Sequence, residues 1–247
     1  MLKIYKKFIE KIKTVINIFF FLRDFFIFKK KNKKFQKRFD LSFKKIYPCL
    51  NDNTETTYFE PQYTYHPAWA ARILKKNIPN KHIDISSTLN FCTIVSAFVP
   101  IDFYDYRPAD FNLNNLVSKK VDLLSLPFQD NTIKSLSCMH TIEHIGLGRY
   151  GDKINPNGDI EAMEELKRVL DIEGNLLLVV PIGIPQIRFN AHRIYSYEQI
   201  VSLFDKFMIE EFALITDGGD FIINPDENLI KIQEKACGCF SFRKKVL

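Results

Sequence analysis

Glycine is scarce in this sequence, and none occurs in its first half. The 247 residues include nine glycines, and the first along the chain is Gly146. A G-x-G-x-x-G turn uses glycine to let the backbone approach a pyrophosphate closely. Because that turn is missing, the sequence disfavours a nicotinamide-dependent nucleotide-sugar enzyme.

Cysteine is present, but its spacing is unsuited to zinc or to a disulfide framework. The five cysteines are scattered, and only Cys237 and Cys239 lie close together. Two thiolates without a further Cys or His nearby do not complete a tetrahedral zinc site, so no metal site is predicted. An odd, scattered set also favours a reducing compartment, and we therefore expect a cytoplasmic protein.

Positive charge is concentrated at one end of the chain. Residues 1–50 contain 15 Lys or Arg against Glu10, Asp24 and Asp40, a net charge of +12 in a chain whose total is +6. Residues 51–247 therefore carry a net charge of −6. An acidic domain is a poor surface for nucleic acid, so no nucleic-acid partner is predicted.

Residues 1–45 are predicted to form a basic, aromatic helical arm. Apolar residues recur every three or four positions at Phe8, Ile12, Val15, Phe19, Leu22 and Phe26. A basic cluster follows at Lys29, Lys30, Lys31, Lys33, Lys34, Lys37 and Arg38. This pattern suits the anionic inner face of a membrane, and the same spacing suits packing against the domain or a second copy of the chain. Both alternatives stay open, as does the oligomeric state.

Residues 46–247 are predicted to form one α/β domain. Strand signals at His82–Ile85, Val99–Tyr104, Ile133–Met139 and Leu176–Val180 alternate with helix signals at 68–76, 160–170 and 196–204, and further strands are predicted at 208–215 and 228–232. Such alternation predicts a Rossmann-like, doubly wound, mainly parallel sheet. We expect seven strands in this sheet and an amphipathic helix that precedes it at the N-terminus.

Carboxylates stand where the first two predicted strands end. Asp84 lies in the terminal turn of the first strand, and Asp105 ends the second, 21 positions later. In doubly wound sheets, ligands bind beyond the carboxyl ends of the strands, and an acidic residue at this interval can accept hydrogen bonds from ribose hydroxyls. A surface carboxylate at a strand end is the alternative for each residue.

A run of motifs resembles a known enzyme superfamily. D-L-L-S-L-P-F-x-D-N, H-T-I-E-H and E-L-K-R-V-L-x-x-x-G-x-L-L-L-V-V-P follow one another between Asp122 and Pro181. Together they resemble class I S-adenosylmethionine-dependent methyltransferases. With H-I-D-I-S-S, Y-D-Y-R-P and F-N-A-H-R, the sequence looks like an uncharacterised branch of them, often associated with bacterial surface-polysaccharide loci.

The resemblance implies S-adenosylmethionine as cofactor. It assigns cofactor contacts to Asp84, Ser86, Ser87, Asp105, Asp122, Leu123 and His140. Of these, Asp105 would hold the ribose, Asp122 and Leu123 the adenine, and His140 the wall beside the transferable methyl group. The sequence departs from the superfamily at the first turn, where serines replace the usual glycines.

Methyl transfer to a hydroxyl requires alignment and removal of a proton. The candidate catalytic residues are His192, which we favour as the base, with Glu143 and His144. A structural, hydrogen-bonded loop is the alternative for His192 and Arg193. The candidate acceptor contacts are Arg149, Tyr150, Asp152 and Arg193, of which the first three lie in a turn-rich loop typical of a lid. Glu143 and His144 alone are too few ligands for a divalent ion.

Two functions remain in competition. The first is methyl transfer to a hydroxyl of a sugar or other small acceptor, in surface-glycan biosynthesis. The second is a catalytically silent module that keeps the fold and binds a membrane or protein partner, which the missing glycines favour.

Overall fold

The computed structural model describes residues 2–33 and 39–246, so Lys34, Lys37 and Arg38 of the predicted basic cluster lie outside the described residues. The chain divides into two compact units, Met1–Tyr58 and Phe59–Leu247. The first unit contains helix α1 (Leu2–Asn32), which confirms the N-terminal helix. Among the described residues, no helix combines the length and apolar character needed to cross a membrane.

The second unit is an α/β domain. Its helices are α2 (Pro61–Asn77), α3 (Leu89–Val95), α4 (Gly158–Val169), α5 (Tyr197–Leu203) and α6 (Glu227–Lys231). Its strands are β1 (His82–Ile85), β2 (Ile101–Asp105), β3 (Leu116–Lys120), β4 (Ile133–Met139), β5 (Leu170–Gly183), β6 (Gln186–Arg188), β7 (His192–Ile194), β8 (Phe207–Ile215), β9 (Phe221–Ile223) and β10 (Lys235–Lys244).

The main sheet has the strand order β3-β2-β1-β4-β5-β10-β8-β9. The strands from β3 to β5 are parallel, whereas β10 runs antiparallel to both of its neighbours and β9 runs antiparallel to β8. The mainly parallel, Rossmann-like sheet is therefore confirmed, but the expected number of seven strands is wrong. The edge strand β9 contributes the eighth strand, and three residues are too few to show a periodic pattern.

Helices cover both faces of the sheet. Along β5, Leu176, Leu178 and Val180 belong to one apolar cluster, which includes residues of α4 and α5. The alternate residues Leu177 and Val179 belong to a second cluster, which includes residues of α2 and α3. Because successive side chains of a strand point to opposite faces, both faces are buried, as a doubly wound sheet requires.

Local sequence signals located several elements correctly and one wrongly. Strand β4 has the predicted bounds, and α5 lies within the helix predicted at 196–204, where Ser196 and Gln199 form a capping box. The strand expected at 228–232 is instead helix α6, because the Asp226 side chain accepts a hydrogen bond from Leu229 N and caps a helical turn.

The chain changes direction across the sheet at β1. This strand pairs with β2 on one side and with β4 on the other. Crevices that bind ligands form at such a switch point, outside the carboxyl ends of the strands. The residues that follow β1, β2, β3 and β4 are therefore brought to one place.

Candidate active site

A cavity of about 480 Å³ opens at this switch point. Its walls are Ser86, Asp105, Tyr106, Arg107, Val121, Asp122, Leu123, Leu124, His140, Thr141, His144, Ile145, Gly146, Tyr150, Asp152 and Lys153. Eight of the residues singled out from the sequence are among them: Ser86, Asp105, Asp122, Leu123, His140, His144, Tyr150 and Asp152. The other six, Asp84, Ser87, Glu143, Arg149, His192 and Arg193, are not.

The serine turn after β1 is tied to both neighbouring strands. Ser86 has a left-handed φ of 56°, a conformation that usually favours glycine, and its Oγ donates to Tyr104 O at 3.2 Å. Ser87 Oγ accepts from Met139 N at 3.1 Å. The turn therefore adopts a backbone conformation that usually favours glycine, and the serine hydrogen bonds hold it in place. Of the two serines, only Ser86 lies on the cavity wall.

Asp84 lies inside β1 and is fully buried, whereas the sequence placed it in the terminal turn. Its carboxylate accepts hydrogen bonds from Ser137 Oγ and from Ser87 N, the latter at 3.0 Å. Burial raises its pKa to about 6. Asp84 therefore holds the serine turn in place from the interior of the sheet. Its direct contact with a cofactor stays a prediction.

Two carboxylates face the cavity from neighbouring strand ends. Asp105 ends β2, and its Oδ1 accepts from Arg107 N at 2.7 Å. Asp122 follows β3, and its Oδ1 accepts from Leu124 N at 3.0 Å. One oxygen of each carboxylate is thus fixed by the backbone two residues on, while buried Leu123 adds an apolar wall.

His140 is the centre of a buried cluster at the end of β4. Its Nδ1 lies 3.0 Å from Glu143 Oε1, and its Nε2 lies 3.3 Å from Cys237 Sγ. Helix α2 places the rings of Tyr63 and His66 against it, with centroids 5.4 and 5.0 Å away. Burial disfavours the imidazolium, but Cys237 and Glu143 outweigh it and raise the pKa of His140 to about 10. His140 and Glu143 therefore form a buried pair at the end of β4.

His144 is a second histidine on the cavity wall. Its Nδ1 lies 2.6 Å from the carbonyl oxygen of Ala191 and 3.3 Å from Arg149 Nη1, and because the shorter contact is to a carbonyl oxygen we assign the proton of the neutral ring to Nδ1. Its Nε2 lies 3.8 Å from Glu143 Oε1. Burial, with weaker contributions from Arg149 and His140, lowers the pKa of His144. The ring is therefore neutral near pH 7, with a lone pair on Nε2.

Glu143 and His192 each have one unpartnered buried atom. Glu143 is 1% exposed, and its Oε2 makes no hydrogen bond within the described part of the chain. The same is true of His192 Nε2, in a ring whose centroid lies 6.5 Å from that of His144. Burial lowers the pKa of His192, which lies on β7 next to the cavity wall. Its part in catalysis stays a prediction.

The loop after β4 is folded around Asp152. The carboxylate accepts from the backbone N–H groups of Gly146, Gly148 and Tyr150 at 2.7, 3.3 and 3.2 Å. Although burial opposes ionisation, these hydrogen bonds lower the pKa of Asp152. A Cβ on Gly146 would lie 2.0 Å from Asn155 O, so the loop requires glycine there. Asp152 shapes the loop, and a contact with an acceptor stays a prediction.

Tyr150 is the aromatic side chain that this loop presents. The guanidinium groups of Arg107 and Arg149 stack on its ring, 4.5 and 5.1 Å from the centroid, and the ring of His144 lies 5.6 Å away. Arg149 also donates to Ala191 O at 3.2 Å. Tyr150 therefore joins the loop to the turn after β2 across the cavity.

Arg193 is bonded to other groups of the protein, and its contact with an acceptor stays a prediction. It is 4% exposed, and it donates to Ile145 O at 2.6 Å and to Pro156 O at 3.1 Å. It also forms an ion pair with buried Asp159 at 3.4 Å. These partners occupy the guanidinium, for which the sequence predicted a contact with the acceptor.

Several residues of the site were missed at the sequence level. Tyr106, Arg107 and Lys153 line the cavity, and Tyr63, His66 and Cys237 surround His140. The first two could have been found, because they directly follow Asp105 at a strand end. Within residues 2–33 and 39–246, no three His, Cys, Asp or Glu side chains come together in a way that could hold a metal ion.

The fold and part of the sequence have counterparts among known proteins. Residues 126–218 match the family described as Caenorhabditis protein of unknown function, DUF268. No curated protein matches the chain in sequence. A Galdieria sulphuraria protein, provisionally named a sarcosine dimethylglycine methyltransferase, has a similar structure, with a TM-score of 0.52 and 15% identity over 76% of this chain and 90% of its own.

Two further structures are similar at the same level. A Bacillus halodurans protein, provisionally named a methyltransferase, gives a TM-score of 0.51 and 14% identity over 73% of this chain and 99% of its own. The cyclase SpnF gives 0.51 and 12% identity over 73% and 82%. The chain therefore has the class I fold of S-adenosylmethionine-dependent methyltransferases. Because a cyclase shares it, the fold alone does not define the reaction.

Proposed function

We propose that this protein is an S-adenosylmethionine-dependent methyltransferase that acts on a hydroxyl group of a small acceptor such as a sugar. The observation that supports this most directly is the combination of a cavity at the switch point, carboxylates after β2 and β3, and neutral His144 on the cavity wall. Binding, orientation and proton removal are the tasks that a methyltransferase must perform.

The size of the cavity and the hydrogen-bond acceptors on its wall are compatible with the cofactor. Its volume lies within the range of about 300 to 1,000 Å³ that is typical of small-molecule sites. Asp105 would accept hydrogen bonds from the ribose hydroxyls, and Asp122 with Leu123 would hold the adenine. Ser86 would adjoin the methionine part, and His140 the side of the methyl group. When bound, S-adenosylmethionine supplies an electrophilic methyl group on a sulfonium.

His144 is the residue to which we assign proton removal. Its Nε2 would accept the proton of the acceptor hydroxyl, while the Nδ1 proton stays bonded to Ala191 O. The resulting imidazolium would lie 3.8 Å from Glu143 Oε1, which stabilises the new positive charge. His192 is the second candidate for this role, since its Nε2 has no partner in the described chain.

The acceptor would enter beside the loop that carries Tyr150. An aromatic ring flanked by Arg107 and Arg149 suits the apolar face and the hydroxyls of a sugar. A role in surface-glycan biosynthesis rests on the resemblance of the sequence. Mass spectrometry of surface glycans from cells with and without a functional copy of this protein tests that role. Glycans lighter by one CH2 in the cells that lack it would identify both the reaction and the class of substrate.

A catalytically silent module is the alternative, and the serine turn favours it. Ser86 adds a side chain where the superfamily leaves open backbone, and it lies on the cavity wall. Titration calorimetry with S-adenosylmethionine on the full chain separates the two. Micromolar binding supports the enzyme, whereas no binding at millimolar cofactor would exclude it. Binding without turnover on any hydroxylated acceptor would favour the module.

A further inference from the structure

Helix α1 has an apolar stripe that the rest of its unit leaves uncovered. Of the six stripe positions, Leu22 is partly buried and five are 46–67% exposed: Phe8, Ile12, Val15, Phe19 and Phe26. At about 3.6 residues per turn these five side chains fall within a sector of about 60°. Exposed aromatic and branched side chains in one continuous row are unusual for a protein surface and mark a site of interaction.

The segment that follows α1 packs on a different side of the helix. Asn17 Nδ2 donates to Leu50 O at 2.7 Å, and the ring of Phe25 packs edge-on against Phe43 with centroids 5.3 Å apart. Asn17 lies about 180° around the helix from the centre of the stripe, and Phe25 lies about 100° from it. Residues of the same unit therefore cover part of α1 and leave the stripe exposed.

Basic residues border the stripe on both sides. Lys11 and Lys29 lie about 60° from its centre on one side, and Lys30 lies about 40° away on the other. The acidic residues Glu10 and Asp24 are both in the sector farthest from the stripe. Lysine stems next to an apolar row can keep their ammonium groups at a polar surface while the row is buried. This arrangement is complementary to an apolar layer beneath negative charge.

We propose that α1 lies in the plane of an anionic membrane surface, with the Phe8–Phe26 stripe inserted among the lipid chains and the flanking lysines at the headgroups. A spanning orientation is excluded for the described helix, which lacks the necessary length of apolar sequence. A protein partner would accept the apolar stripe equally well. Positive charge on both borders favours an anionic lipid surface, because each basic residue near the headgroups strengthens binding.

Co-sedimentation of the full chain with phosphatidylcholine vesicles that contain phosphatidylserine measures this binding. We expect Phe19→Asn to weaken it about tenfold or more, since one buried aromatic side chain contributes at least that factor. Phe28→Asn is the matched control: Phe28 is 59% exposed on the same helix but lies outside the stripe, so binding should change less than about twofold. Circular dichroism of both variants checks that the helix persists.

Charge provides a test that needs no change in the stripe. Lys29→Glu combined with Lys30→Glu should weaken binding by more than tenfold, because each basic residue near the headgroups contributes about fivefold. Wild-type binding should also fall with added salt and with removal of phosphatidylserine. Equal binding to vesicles of phosphatidylcholine alone would overturn the proposal.

The competing occupant is a second copy of the chain. Sedimentation velocity without lipid would then show a wild-type oligomer that Phe19→Asn dissociates and Phe28→Asn does not. That result, together with no sedimentation of the wild type with anionic vesicles, would assign the stripe to a protein interface and refute the membrane assignment.

Discussion

The imidazole Nδ1 of His144 lies 2.6 Å from the carbonyl oxygen of Ala191, a residue 47 positions away in sequence. Ala191 belongs to the turn between β6 and β7, so a hairpin outside the main sheet sets the tautomer of a ring on the cavity wall. Nε2 is left as the basic atom, and burial keeps the ring neutral by lowering its pKa.

His144→Asn is expected to lower turnover about a hundredfold or more while cofactor affinity stays near wild type. Asparagine keeps a donor near the position of Nδ1 for Ala191 O, but it offers no base in place of Nε2. Steady-state kinetics and calorimetry on the same preparation measure the two effects. A fall in melting temperature and cofactor affinity together would instead indicate a structural role.

His192→Asn is the matched comparison, since His192 lies outside the cavity wall. With His144 as the base, this variant should retain turnover within about tenfold of wild type, because general-base assistance contributes about 10² or more. A hundredfold loss there and none in His144→Asn would transfer the role to His192. In the wild type, activity should fall only at a pH below 6.5, the ordinary pKa of histidine, because the pKa of His144 is lowered.

Asp105→Asn is expected to weaken cofactor binding about tenfold, since a carboxylate that accepts from ribose hydroxyls contributes about 1.5 to 3 kcal/mol. Asparagine preserves an oxygen for Arg107 N, so the local turn should survive. Asp110→Asn, at an exposed carboxylate outside the cavity wall, should leave the dissociation constant unchanged. Equal constants for both variants would remove Asp105 from the site.

The two serines of the turn are expected to differ in their effect on stability. Ser87→Ala leaves the buried Met139 N–H without its acceptor and should cost about 1 to 3 kcal/mol. Ser86→Gly loses the hydrogen bond to Tyr104 O, but it relieves a left-handed φ, so the free energy of unfolding should change by less than about 1 kcal/mol. Chemical denaturation measures both, and a reversed order would contradict this account.

Arg193→Met is expected to destabilise the fold by about 3 to 5 kcal/mol, because it leaves the buried carboxylate of Asp159 without its charged partner. Exposed Arg188 on the adjacent strand is the control, and Arg188→Met should cost less than about 0.5 kcal/mol. If Arg193→Met unfolds normally and only raises the KM for an anionic acceptor, the substrate-binding role of Arg193 is restored.

Stability is expected to fall in mild acid through His82. Burial lowers the pKa of this fully buried ring from 6.5 to about 3, so between these values the unfolded state binds a proton that the folded state does not. Unfolding therefore becomes easier as the pH falls, by roughly 1 kcal/mol per pH unit. Asp84, with its pKa raised from 3.8 to about 6, acts in the opposite direction over that narrower window.

His82→Gln removes this contribution and should flatten the acid slope by about 1 kcal/mol per pH unit. His66, whose pKa is lowered to about 3 by burial and by His140, would still contribute with the same sign. Urea denaturation at several values between pH 7 and pH 5 measures the slope. An unchanged slope in the variant would show that His82 titrates alike in both states.

The parts of this protein that depend on neighbouring residues could be predicted from the order of its amino acids. Apolar residues that alternate with polar ones defined β1 and β4, and Ser196 with Gln199 defined the start of α5. The carboxylate of Asp105 could be located at a strand end, because the alternation of strands and helices was readable along the chain.

Contacts between side chains that are distant in sequence follow from the packing of the whole domain. Strand β10 enters between β5 and β8 and brings Cys237 to His140 across 97 positions, and no local pattern encodes that contact. In the sequence, Asp84 and Arg193 look like charged groups available to a ligand. In the fold, Asp84 accepts a hydrogen bond from Ser87 N and Arg193 forms an ion pair with buried Asp159. A side chain's neighbours depend on strand order and loop path, which long-range packing fixes, whereas helix caps and strand runs depend on residues a few positions apart.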